Sequence, residues 1–382
     1  MSITLAIAGT AFAIWVYLLT ARGRFWTASI REDRTNTPAP AAWPDIVAVV
    51  PARDEADVIA QSIGSLLSQD YPGRFTIVLV DDQSSDGTAA IARDTADRAA
   101  STRLEILSGS LLPAGWAGKV WAMKQGIAHA GRATPPAYLL LTDADIAYAP
   151  DTLRRLVAHA EATQCVLVSL MAKLRCESLA ERALIPAFIF FFQMLYPFAW
   201  VNRRENATAG AAGGCMLVRA DALQRAGGID AIRGALIDDC TLAAKLKSVG
   251  PIWLGLTDRV LSLRPYPGFG DIRRMVSRSA YDQLHYSPIL LAGTVAGMAL
   301  TYVAPPFLAL FGAGTAQMLA IAAWIIMSLI YQPILRFYRV SPLWGPALPV
   351  VAFAYLAFTL DSAYQHMRGK GGLWKGRVQA GL

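Results

Sequence analysis

Charge is what this chain is short of: 16% of its 382 residues are charged, against 54% that are hydrophobic. Water-soluble domains carry about 25% charged residues, so part of the chain is expected in lipid, as the mean hydropathy of +0.37 also indicates. Cysteine is scarce as well. Cys165, Cys176, Cys215 and Cys240 form no CxxC pair, and the four histidines are scattered. That supply suits neither a disulfide framework nor a zinc site, and the cysteines read as reduced and packed. No basic stripe interleaved with exposed aromatics is present. The net charge of +7 therefore points to anionic lipid, and nucleic acid is excluded as the expected partner. A phosphate loop is missing too: in GWAGKVWAMKQG, Pro113 stands where the first glycine of that motif belongs and Val120 replaces its Ser or Thr.

What is present begins with long apolar runs at 3–20, 288–311, 316–335 and 343–364, each near the roughly 20 residues that cross a bilayer core. The first run has no basic residue before it, and Arg22 and Arg24 follow it, which reads as an uncleaved anchor rather than a signal peptide. The positive-inside rule then places the middle of the chain in the cytoplasm. The expected organisation is an anchor (1–22), a Pro- and Ala-rich linker (23–44), a cytoplasmic domain (45–287), a C-terminal transmembrane region (288–366) and a basic tail (367–382). Four spans would put that tail outside, against the same rule. The stretch 343–364, interrupted by Pro346 and Pro349, is therefore expected to be re-entrant.

In the middle domain apolar strands alternate with amphipathic helices. DIVAVVPARDE, FTIVLVDD, LEIL, YLLLTDAD and CVLVSL read as strands, and the segments between them carry helical periodicity. Near-continuous apolar strands of this kind predict an α/β fold with a mostly parallel sheet covered on both faces. Ligands of such sheets lie beyond the carboxyl ends of the strands, where this sequence keeps Asp54, Asp82, Asp143 and Asp145. Any one of them reads equally as a turn former or a helix cap, Asp54 especially. Gathered in one crevice they would repel, unless a divalent cation or ligand donors offset the charge. Carboxylate oxygens suit a hard ion such as Mg²⁺ or Mn²⁺.

The ordered set VVPARDE, VDDQSSDGT and LLLTDADI, each closing an apolar strand, resembles the family 2 glycosyltransferases of the GT-A fold. The resemblance runs over about residues 45–286 and implies a nucleotide-sugar donor. It places Asp82 on the nucleoside, with the loop bearing Pro51, Arg53 and Glu55 against base and ribose. It makes Asp143 and Asp145 the DxD pair, with Asp145 the direct ligand of a divalent metal (Mg²⁺ or Mn²⁺) and Asp143 near ribose or sugar. GKVWAMKQG resembles the family's GK segment, which puts Lys119 near the donor phosphates; Gln125 stands where Asn is common, and a solvated surface lysine is the other reading. Gly213 and Gly214 match the acceptor-side segment, or else form a tight turn. In ALIDDCTLAAKL, Asp239 matches the Asp of the family's ED motif, the base that deprotonates the acceptor, and Asp238 replaces its Glu. Acids there would also favour a helix N-terminus. A single base implies inversion at the anomeric carbon.

The acceptor is expected to be a membrane lipid. LIPAFIFFFQMLYPFAWVNRR is dense in aromatics and reads as helices in the membrane interface. DIRRMVSRSAYDQLHY puts Ile272, Met275, Val276 and Leu284 near one face with Arg273, Arg274 and Arg278 around it; Arg278 is assigned to the acceptor side. The (Q/R)xxRW motif of polymer-building relatives is absent, although Asp282, His285 and Tyr286 keep a similar spacing. The whole layout resembles the bacterial hopene-associated glycosyltransferases. That resemblance implies a hopanoid-related acceptor and a multi-pass protein of the bacterial inner membrane. A polyprenyl-phosphate acceptor and a non-catalytic membrane scaffold are the competing readings.

Overall fold

The computed structural model describes residues 2–35, 37–132, 135–369, 373–374 and 377–378, so most of the basic tail expected at 367–382 lies outside the described residues. The chain forms two compact units, one from Ile30–Arg175, Trp200–Pro265 and Leu373–Leu382, the other from Met1–Ser29, Cys176–Ala199 and Tyr266–Gly372. The expected 45–287 domain is thus cut differently, with 176–199 and 266–287 assigned to the helical unit.

The first unit holds an eight-stranded sheet built from β1 (Ile46–Ala52), β2 (Phe75–Asp81), β3 (Leu104–Ser108), β4 (Tyr138–Leu141), β5 (Ile146–Tyr148), β6 (Leu167–Lys173), β7 (Met216–Arg219) and β8 (Ile252–Ser262). Their order is β3-β2-β1-β4-β7-β6-β8-β5. The β3-β2-β1-β4 ladders are parallel; β7 runs against both β4 and β6, and β5 runs against β8. Every residue of β1 and β4 is buried, the mark of strands covered on both faces. The α/β expectation holds. Pro51 falls inside β1 rather than in the loop after it. It lies beyond Val49, the last β1 residue paired with β4, so its missing N–H breaks no pairing on that side.

The helix Gly118–Ala130 packs on β1 and β2 because Gly126 lets it approach: a Cβ there would sit 2.5 Å from Val49 Cγ1 and 3.0 Å from Val80 Cγ2. Gly126→Ala should destabilise the protein by about 1–3 kcal/mol through overpacking, read as a lower unfolding midpoint. The 23–44 stretch is more than a linker. Leu256 of β8 receives Arg31 in a parallel bridge, and the buried Glu32 carboxylate is ion-paired with Arg155 and with Arg259 at 3.4 Å.

Among the described residues, four helices are long and apolar enough to cross a membrane: Ile3–Thr20, Leu179–Val201, Pro288–Phe311 and Gly314–Phe337. The aromatic stretch expected to lie in the interface is one of the four by length and composition, with a break between Leu179–Leu195 and Phe198–Val201. The 343–364 stretch, expected to be re-entrant, has a 3-10 turn at Pro342–Trp344 and then the helix Leu348–Met367, with Pro349 in its first turn where a missing N–H is harmless. Within 288–311, a π-helical turn, Ala299–Val303, separates the two α-helical parts. Its cause is Pro305, which has no N–H to offer the Thr301 carbonyl one turn earlier. The Trp15 indole N–H donates to that carbonyl instead, at 2.8 Å, and stacks edge-on against Tyr302. Glu181 is buried but satisfied. Its carboxylate accepts from the N–H groups of Glu177, Ser178 and Tyr266, and the Glu181 N–H donates to Ser178 Oγ to complete the capping box. The amphipathic helix Phe269–Ser277 buries Ile272 and Val276 and leaves Arg273 and Arg274 exposed; Arg278 follows it.

Candidate active site

The sheet unit carries its acids where its strands end. The loops after β1 and β2 are laced together: Asp54 accepts from the Ser85 N–H at 2.8 Å, Glu55 N–H donates to Thr88 Oγ1 at 2.8 Å, and Ala56 N–H donates to Asp86 at 2.9 Å. Asp54 therefore ties one loop to the next and does not cap the helix Ile59–Leu67, whose N-cap is Val58. Asp54 also takes a left-handed φ of 50°. Asp82 is wholly buried; its N–H donates to the Ala52 carbonyl at 2.8 Å, and Arg53 donates to its backbone carbonyl. The Arg53 guanidinium also stands 3.8 Å from the Asp82 carboxylate.

Asp143 and Asp145 occupy the short connection between β4 and β5. Thr142 Oγ1 donates to the Gly214 carbonyl at 2.8 Å and Tyr148 donates to the same carbonyl at 3.0 Å, which holds this connection against the Gly213-Gly214 turn before β7. At Gly214 a Cβ would lie 3.0 Å from Ile146; at Gly213 it would lie 3.1 Å from Lys119 Nζ and 3.4 Å from Asp239 Oδ2. These glycines permit close approach, which the tight-turn reading alone does not require.

Lys119, in the first turn of the helix Gly118–Ala130, is not a solvated surface lysine. The N–H of the preceding Ala117 donates to the Arg233 carbonyl at 2.7 Å, which sets the helix start beside the segment leading to Asp238. Lys119 Nζ lies 2.8 Å from Asp143 and 3.0 Å from Asp238. Burial disfavours its charge, but Asp143 and Asp238 outweigh burial and hold the ammonium above its ordinary pKa. Gln125 anchors the loop after β3 by accepting from the Ser110 N–H at 2.8 Å.

Asp238 and Asp239 open the helix Asp238–Lys247, and neighbouring helical positions point about 100° apart. Asp238 turns to Lys119. Asp239 accepts from the Gly213 N–H at 2.9 Å and the Cys240 N–H at 2.7 Å. Burial first, then the neighbouring Asp238 charge, pushes the Asp239 carboxyl up to about 6, although an edge of it remains open to solvent. A carboxylate with that affinity for protons is suited to general base work near neutral pH.

One charged residue of this site escaped the sequence analysis. Arg264, just after β8, donates to both oxygens of Glu55 at 2.9 and 2.7 Å and from Nε to Asp145 at 2.9 Å. Burial and the Asp143 charge raise the Asp145 carboxyl above its ordinary value, and Arg264 works against them. Its signal in the sequence is faint, since Arg264 follows a strand, β8, that mixes polar and apolar residues. Arg278, expected on the acceptor side, belongs to the helical unit.

Glu55, Asp82, Asp143, Asp145, Asp238 and Asp239 face the cations of Arg53, Lys119 and Arg264, an excess of negative charge that favours a further cation. Asp143 and Asp145 supply hard oxygen donors suited to Mg²⁺ or Mn²⁺. No set of three or more His, Cys, Asp or Glu forms a complete metal cage among the described residues. Two carboxylates alone leave such an ion short of ligands, so the remainder would have to come from outside the protein.

Residues 47–227 match the model of glycosyl transferase family 2, a span that includes most of β1, Asp143, Asp145 and Gly213. Among solved structures, a mannosyltransferase from Pyrobaculum calidifontis in complex with GDP-Man and Mn²⁺ is 19% identical with a TM-score of 0.55, over 96% of this chain and 100% of that one. S. aureus TarS with UDP is 13% identical with a TM-score of 0.40, over 85% of this chain and 92% of that one. Mannosyl-3-phosphoglycerate synthase from Rubrobacter xylanophilus is 18% identical with a TM-score of 0.37, over 61% and 70%. No curated protein matches the sequence. With its mostly parallel sheet and its strand-end carboxylates, the chain has the GT-A fold, and its residues 47–227 are similar to glycosyl transferase family 2.

Proposed function

We propose that the protein transfers a sugar from a nucleotide-sugar donor to a hydroxyl group of a membrane lipid, with inversion at the anomeric carbon. The observation that carries the reading is the Lys119 ammonium set between Asp143 and Asp238, which joins the DxD acid to the acid pair at the start of the helix Asp238–Lys247. In this reading Asp82, Arg53 and Glu55, at the ends of β1 and β2, receive the nucleoside, and Pro51 shapes the floor from within β1. Asp143 and Asp145 hold a divalent ion together with the donor diphosphate. When bound, that ion offsets the charge of the departing nucleoside diphosphate. Asp239 accepts the proton of the acceptor hydroxyl as its oxygen bonds to the anomeric carbon. The bond from that carbon to the diphosphate breaks at the same time, and the electron pair leaves with the nucleotide. Lys119 partly offsets the charge of Asp239, and Asp238 holds Lys119 in place.

The lipid acceptor is supported by the helical unit, where large apolar side chains such as Ile289, Phe311, Met318 and Leu329 lie exposed on helices long enough to span a bilayer. The likeness of the layout to hopene-associated glycosyltransferases narrows the proposed acceptor to a hopanoid-related alcohol. Arg22 and Arg24 after the first span support a cytoplasmic sheet unit in a multi-pass inner-membrane protein. The test is nucleotide release by the full chain in detergent, across nucleotide-sugar donors, with and without hopanoid alcohols or polyprenyl phosphates. Release is expected to require a donor and lipid alcohol, to fall to background with a chelator, and to return with Mn²⁺ or Mg²⁺. Activity only with polyprenyl phosphate would replace the acceptor class, and inertness across all donors and lipids would leave the scaffold reading.

A further inference from the structure

We propose that Arg264 is a resident counterion that competes with a divalent cation for Asp145, so that the donor-free protein holds the ion weakly. The inference rests on the reading above, in which the Asp143-Asp145 pair takes the metal. Each of these carboxylates already has its own cation within the protein: Lys119 stands 2.8 Å from Asp143, and Arg264 Nε stands 2.9 Å from Asp145 Oδ2. A guanidinium in contact with a carboxylate oxygen opposes a second cation on the same group. The grip of Arg264 is divided. Its Nη2 holds both oxygens of the buried Glu55, so release of Asp145 leaves the guanidinium still paired, and no buried charge is stranded. The backbone can stay in place during the exchange, because the Leu263 N–H is bonded to the Asp145 carbonyl at 2.8 Å. Arg264 is thus a positioning residue: it keeps Asp145 occupied until an ion and a diphosphate arrive together.

Binding of Mn²⁺ alone to the full chain in detergent, followed as loss of the free-ion electron paramagnetic resonance signal, tests this without turnover. Arg264→Met should tighten Mn²⁺ binding by about 10-fold or more, within the usual range of coupling between competing ligands. Arg53→Met removes an equal charge from the neighbourhood of Asp82 and should tighten it far less. Glu55→Gln leaves Arg264 to Asp145 and should weaken binding, a change opposite in sign that stands even if Arg264→Met fails to fold. Unchanged or weaker binding in folded Arg264→Met, an equal effect in Arg53→Met, or tighter binding in Glu55→Gln would overturn the proposal. Nucleotide release in the same preparations separates two kinds of failure. Release that needs Mn²⁺, with unaltered affinity in Arg264→Met, refutes the competition alone. Release indifferent to any divalent ion refutes the metal assignment, and this proposal with it.

Discussion

Replacing Asp239 with Asn should lower sugar transfer by about 10³-fold, in the middle of the range for loss of a general base, while donor binding persists. The amide keeps the size of the side chain, and its single oxygen can still accept from one of the Gly213 and Cys240 N–H groups, which bind separate oxygens of Asp239, so the loss beyond the proton acceptor is one hydrogen bond. What it cannot do is take a proton. The wild-type pH profile supplies an independent check. Asp239 works only as the carboxylate, and burial, followed by Asp238, pushes its carboxyl up to about 6. Transfer should therefore be full above that pH, fall as pH drops through about 6, and show no such limb in whatever activity Asp239→Asn retains. A variant that transfers at the wild-type rate would remove Asp239 from the mechanism.

Lys119→Met should have the second-largest effect, and on two observables. Asp143 and Asp238 would lose the cation that lies within 3.0 Å of each, and Asp239 would lose a compensating charge. Breaking a fully buried pair costs about 3–5 kcal/mol. The Asp143 side chain is 34% exposed and that of Lys119 16%, so water screens part of the loss and about 2 kcal/mol is expected. The second observable is the acidic limb. Lys119 lowers the proton affinity of Asp239, so its removal should move the limb to higher pH. A merely structural lysine would alter the unfolding midpoint and leave the limb where it was.

Much of the sheet was legible because β1, β2 and β4 are apolar runs buried on both faces, a pattern that needs no tertiary knowledge. The acids were legible for the same reason, since a charge that ends such a run is conspicuous. Asp54 was read as a local cap, but its partner is Ser85, on the next strand's loop. The strand β5 is three residues long, and β8 alternates buried and exposed positions irregularly, so neither gave a clean period. Arg264 was missed with β8, because its importance comes from Glu55 and Asp145, both far away in sequence. Hydropathy picked out four apolar runs, and the four long apolar helices among the described residues include Leu179–Val201 in place of the 343–364 run. The helix Leu348–Met367 contains Asp361 and Ser362, the latter accepting from the Tyr281 N–H, whereas Leu179–Val201 is the more apolar of the two.

The indole of Trp15 and the carbonyl of Thr301 are separated by 286 positions in the chain. At about 5–20 residues per second, the ribosome needs roughly 15–60 s to make the second partner after the first. Throughout that interval Trp15 lacks the carbonyl that its indole meets in the folded chain. The proline-marked carbonyl, in contrast, is made after its donor. Synthesis therefore gives this bond a direction, with the donor helix present before the acceptor turn.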